Sequence, residues 1–167
     1  FNVVLGGSQD NGTSVQTGTG NREWELFRGA DGGDVQAADA GGGDSFRYSS
    51  TQNFGLTRHR FDSATNETGT VDLVPVGGLV GYDNFFVPQY ELNSVNPSRL
   101  VTGGQDDDPA AGPNNPVYEL LNANTATGPG DVNWVAVPIG AGFTSVKTMT
   151  LRSWSADGWA AWTMKRY

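Results

Sequence analysis

Residues 85–105, FFVPQYELNSVNPSRLVTGGQ, decide the fold, because they read as strand, tight turn and second strand. Phe86, Pro88, Tyr90 and Leu92 recur at period two with Gln89 and Glu91 opposite, the alternation of a half-buried strand. Asn93-Ser94-Val95-Asn96-Pro97 then stops it. Asparagine tolerates left-handed dihedrals and bonds its own backbone, and proline fixes φ and removes a donor, so the chain reverses here. Arg99 to Thr102 resumes as a strand and ends at Gly103-Gly104.

The same order occurs one unit earlier. Asp31 to Asp39 gives a strand, Ala40 to Asp44 a glycine turn and Ser45 to Ser50 the next strand, and Asn93 to Gly103 spans the same ten residues as Asp39 to Ser49. A third copy opens the chain, where Phe1 to Leu5 runs into Gly6-Gly7-Ser8-Gln9 as the later copies run into Gln52 and Gln105. These glutamines lie 43 and 53 residues apart. A period of that size with several strands per unit predicts an all-β repeat array of small sheets, and the resemblance these phrases carry to a known repeat family implies a propeller-like array of four-stranded antiparallel blades. The units fall at roughly 1–27, 28–76, 77–138 and 139–167 of one repeat domain. Closed propellers have about four to eight blades. Three to four units of this length therefore make an incomplete ring, completed by a longer chain, by further copies or by another protein, or else the strands form an open sandwich. The start at Phe1, inside a strand, reads as a processed or truncated end.

Composition sets the limits. The 24 glycines and 8 prolines punctuate all 167 residues and leave no long run of helix formers. With 18 acidic and 10 basic residues the net charge is −8, which repels phosphate backbones and argues against nucleic-acid binding. No apolar run reaches the length of a membrane span. Absence of cysteine removes disulfides, thiolate chemistry and sulfur-ligated zinc. The Gly-, Asn-, Thr- and Asp-rich composition matches exported bacterial β-proteins, and predicts an extracellular location.

The phrases GADGGDVQAADAGGGDSFRYSS, FGLTRHRFD, GGSQDNGTS and FFVPQYELNSVNPSRLVTGG resemble the blade entries of BNR or Asp-box β-propeller repeat proteins, the group of sialidases, sortilin-type receptors and xyloglucan-degrading glycosidases. Ser155-Ala156-Asp157-Gly158-Trp159-Ala160-Ala161-Trp162 keeps the box's Ser, Asp and Trp with its Gly one place early. Ser8-Gln9-Asp10-Asn11-Gly12 keeps Ser, Asp and Gly with Val15 where the aromatic belongs. The resemblance implies fold roles for Asp10, Asp157, Trp162, Trp24 and Trp134. The aromatics would plug gaps between sheets. The functional alternative makes Trp24, Trp134 and Tyr82 a carbohydrate-stacking set.

Candidate chemistry lies in the carboxylates. Asp31, Asp34 and Asp39 sit at the second unit's entry and Asp83 at the third's, and blade-entry loops cluster on one face, so Asp31, Asp34 and Asp83 are the catalytic candidates. A glycosidase needs two carboxyls about 5 to 9.5 Å apart. The plainer reading is that these aspartates cap turns. Asp106-Asp107-Asp108 offers oxygens to calcium, the one cofactor the sequence suggests, although Pro109 interrupts the run. His59, the sole histidine, lies between Arg58 and Arg60, and a Ser-His-Asp relay would have to use it. Arg47, Arg58 and Arg99 do not follow the order of a sialidase arginine triad. The reading that results is an extracellular binding or structural module in a larger assembly; the alternative is a propeller-fold glycoside hydrolase.

Overall fold

A computed structural model describes residues 4–79, 86, 88–104, 117–137, 149–155 and 158–164. They form an all-β, propeller-like array of antiparallel sheets, with no closed ring among the described residues. The first sheet takes β1 (Leu5–Ser8), β2 (Gly12–Gln16) and β3 (Trp24–Arg28). The second takes β4 (Gly32–Gly41), β5 (Asp44–Thr51), β6 (Gly55–Phe61) and β7 (Glu67–Asp72). The third takes β8 (Gln89–Leu92), β9 (Leu100–Gly103), β10 (Val117–Leu120) and β11 (Trp134–Ala136), and β12 (Met149–Ser155) pairs β13 (Gly158–Met164). Strands follow chain order in space within every sheet, as short hairpin connections require.

The turn at Asn93 forms as its residue type dictates. Its side-chain oxygen accepts the N–H groups of Val95 and Asn96, both at 2.9 Å, while its own N–H closes the hairpin on the Arg99 carbonyl. Pro88, Tyr90 and Leu92 are buried and Gln89 is exposed, but Phe86 is 55% exposed. The expected alternation fails at Phe86 because β8 begins at Gln89, so Phe86 has no ladder to hold it on the buried face. The glycine turn of the second unit is tighter than expected, since β4 runs to Gly41 and pairs with Asp44. In sequence, Phe143 to Leu151 reads as a strand, Arg152 to Trp159 as a turn and Ala160 to Tyr167 as a closing strand, and the structure shortens that turn. Strand pairing continues to Ser155 and resumes at Gly158, with Trp154 in register with Trp159.

The second sheet is packed on both faces. Tyr48, Leu56 and Leu73, with Phe54 from the turn after β5, meet Tyr90, Leu92, Leu100, Leu120, Ala123 and Ala126 in one apolar core against the third sheet. Trp134 on β11 covers this core, its indole N–H donating to the Leu73 carbonyl at 2.8 Å and its ring 5.7 Å from that of Phe54. It joins neighbouring sheets. On the opposite face Phe27 of the first sheet sets its ring 4.7 Å from His59 and 6.1 Å from Phe61. Here the backbones nearly touch. A Cβ on Gly32 would stand 2.0 Å from the Gly12 carbonyl oxygen, and one on Gly7 would stand 1.9 Å from that of Gly33. Only glycine fits such an approach.

Trp134→Ala is expected to cost about 2–4 kcal/mol, the lower part of the range for large aromatics because the residue is partly exposed. Trp134→Phe keeps most of the packing and loses the indole hydrogen bond, costing about 1 kcal/mol. Urea unfolding monitored by circular dichroism checks both, and equal costs for the two would deny the ring its packing role.

Candidate functional site

The sequence GADGGDV places Asp31 and Asp34 three residues apart at the start of β4, yet their carboxylates serve different sheets. Asp31 Oδ1 accepts the Asp10 N–H at 2.7 Å, and the Asp31 N–H donates to Gln52 Oε1 at 3.1 Å. These contacts line an open groove of about 480 Å³ bounded also by Asn11, Leu26 and Ala30. Asp34 turns the other way. Its Oδ1 accepts the Val35 N–H at 2.8 Å and its Oδ2 the Tyr90 N–H at 3.3 Å, while the Tyr90 hydroxyl donates to the Asp34 carbonyl at 3.1 Å. Asp39 caps its own turn by accepting the Gly41 N–H. Asp31 and Asp34 therefore bond to different partners, Asp31 toward the first sheet and Asp34 toward β8. Asp83, Tyr82 and Asp106 to Asp108 lie outside the described residues. Trp24 is 48% exposed on β3.

Asp34 has a partner the sequence reading missed. Burial pushes the Asp34 carboxyl above its ordinary range, although the Tyr90 and Val35 N–H groups pull it down. Burial and then the Asp34 charge push Glu91 up as well. Two carboxyls shifted upward thus sit where β4 meets β8, each by burial and Glu91 also by the Asp34 charge. The available signal was the alternation on β8, which sets Glu91 opposite the buried Tyr90 and Leu92.

A second constellation fills the seam between the first and second sheets. His59 Nδ1 lies 2.9 Å from Glu67 Oε1, and His59 Nε2 lies 3.3 Å from the Ser49 hydroxyl. Since a carboxylate only accepts, neutral His59 carries its proton on Nδ1 and accepts from Ser49. The order matches a serine–histidine–acid relay. Burial decides against catalysis, because Ser49 is 0% and His59 4% exposed, so no carbonyl substrate can approach the hydroxyl. Thr70 also donates to Glu67. The Arg47 guanidinium stacks 3.7 Å from the Phe61 ring centroid, with its buried Nε unpartnered.

The arginines are likewise spent in the frame. Arg58, on the opposite face from Arg47, donates to the carbonyls of Ala123 at 2.7 Å and Ala126 at 2.8 Å. Arg99 holds Glu119 through two bonds of 2.6 and 2.7 Å. Arg47, Arg58 and Arg99 do not converge on one anion. Among the described residues no three His, Asp or Glu side chains gather as a metal site, and no helix is long and apolar enough to cross a membrane.

The fold and these contacts stand without a named relative. No family model, curated protein or solved structure matches the chain.

Burial holds the His59 pKa below its ordinary value, against the pull of Glu67 upward, so the unfolded chain takes up a proton first as pH falls. Stability from this group is complete above about pH 6.5 and is lost as pH drops below it. Glu67 stays ionised in that interval, since the bonds from Thr70 and His59 and the Arg47 charge outweigh its burial and hold it low. His59→Gln should therefore be less stable than the parent at pH 7.5, with the gap narrowing by pH 5.5 in urea titrations. A constant gap would deny the histidine this role.

Proposed function

We propose that this chain is a binding and structural module of β-propeller type, exported, that acts within a larger extracellular assembly. The observation that supports it is the first sheet, which leaves Val4, Trp24 and Leu26 at 55%, 48% and 61% exposure while comparable side chains of the second sheet are buried against neighbours. The sheet also has three strands where the second and third have four, and among the described residues no fourth strand pairs with the free edge of β3, the strand that carries Trp24 and Leu26. An open edge beside exposed apolar side chains invites addition of another sheet or strand. The polar groups best suited to chemistry are used internally.

A second reading rests on Asp34 and Glu91. Two carboxyls held toward protonation beside a tyrosine suit a carbohydrate-active enzyme, in which one acid donates a proton to the leaving group. The two readings separate cleanly. The native particle should exceed the 17.7 kDa of the chain by a whole multiple in sedimentation equilibrium. A monomer at every concentration, together with hydrolysis of an aryl glycoside that Glu91→Gln abolishes, would replace the module by the enzyme.

A further inference from the structure

We propose that the outer face of the first sheet is a self-association surface, on which a second copy of this chain lays its own first sheet about a two-fold axis. The proposal rests on the assembly reading above and gives it a surface and a geometry.

The cross-strand register fixes which side chains share that face. The Gln16 N–H donates to the Val4 carbonyl at 2.9 Å and Gln16 pairs with Trp24, so Val4, Gln16 and Trp24 make one row. Gly6, Ser14 and Leu26 make the next. Directly opposed residues point to the same side of a sheet. Val15 and Phe27 point the other way, into the seam with the second sheet. The three apolar side chains together expose about 300 Å², the size of patch that on a monomer is often functional.

Charge and shape both select the occupant. None of the six residues is charged, on a chain whose net charge is −8. Copies of such a chain repel, and the six residues of this face add no charge to that repulsion, with Asp10 and Asp31 bordering it at the Leu26 end. Continuity argues the same way, because the second sheet already buries both of its faces against neighbouring sheets. An axis parallel to β2, midway between two facing copies, preserves strand direction and exchanges β1 for β3. It sets Trp24 over the partner's Val4 and Leu26 over the partner's Gly6, with β2 on β2. A Cβ on Gly6 would meet nothing within 4 Å, so an exposed leucine faces a vacant position. Facing sheets stand about 10 Å apart in aligned packing, a gap that such interdigitated side chains fill.

The chain has no cysteine, which gives a direct test. Gly6→Cys and Leu26→Cys proteins, prepared singly, mixed and mildly oxidised, should give the mixed disulfide dimer at least tenfold faster than either gives its own. In sedimentation equilibrium, Trp24→Asp and Gly6→Lys should each weaken dimerisation at least tenfold, with the circular dichroism spectrum of the folded chain unchanged. If the parent associates but shows no preference for the mixed disulfide and no response to either substitution, this face is not the contact, and the assembly reading survives. If the parent is monomeric into the millimolar range, both fall.

Discussion

The second sheet is covered on both sides, and that constraint governs the rest of the structure. A strand buried on two faces must carry two compatible sets of side chains at period two. On β5, Phe46, Tyr48 and Ser50 turn to the third sheet, while Ser45, Arg47, Ser49 and Thr51 turn to the first. One seam is apolar and closed by Trp134. The other is polar, and the hydroxyls and the imidazole in it need partners, which the fold supplies to Ser49, His59 and Glu67 while leaving the Arg47 Nε without one. The Ser49–His59–Glu67 chain is best understood as that supply. Its resemblance to catalytic geometry follows from the same need, to fix one tautomer of a buried imidazole.

Much of the architecture was legible in the residues. The alternation through Tyr90 and Leu92, the asparagine turn and the glycine pairs before Gln9 and Gln105 identify hairpins by local chemistry alone, and local chemistry sets hairpins. The error at Phe86 arose because alternation says which residues share a face, not where pairing begins. The C-terminal turn was drawn too wide because Arg152 and Ser153 carry no strand signal of their own, whereas cross-strand pairing of Trp154 with Trp159 does.

The candidate site was far less legible. Asp31 and Asp34 look equivalent in sequence, and their separation depends on the path of two neighbouring sheets rather than on anything within GADGGDV. Glu91 became relevant only when β8 was laid beside β4. His59 was visible as the sole histidine, but Glu67 and Ser49 reach it across strands, through registers set by the loop from Asp62 to Asn66 on one side and the turn from Gln52 to Phe54 on the other. Pairings of this kind are long-range, and composition or spacing holds no record of them.

The Arg58 clamp has a consequence for how such a protein can change over generations. Arg58 grips the carbonyls of Ala123 and Ala126, groups that every residue possesses, and the loop beyond ties itself through Asp131 to the N–H groups of Thr127 and Gly128. The joint between sheets therefore depends on the course of the backbone more than on the identity of outward side chains. Thr125, Gly128, Pro129 and Gly130 are free to drift in sequence while the joint persists. A surface that can be rewritten without loosening its anchor is where a repeat scaffold can acquire new recognition at least cost.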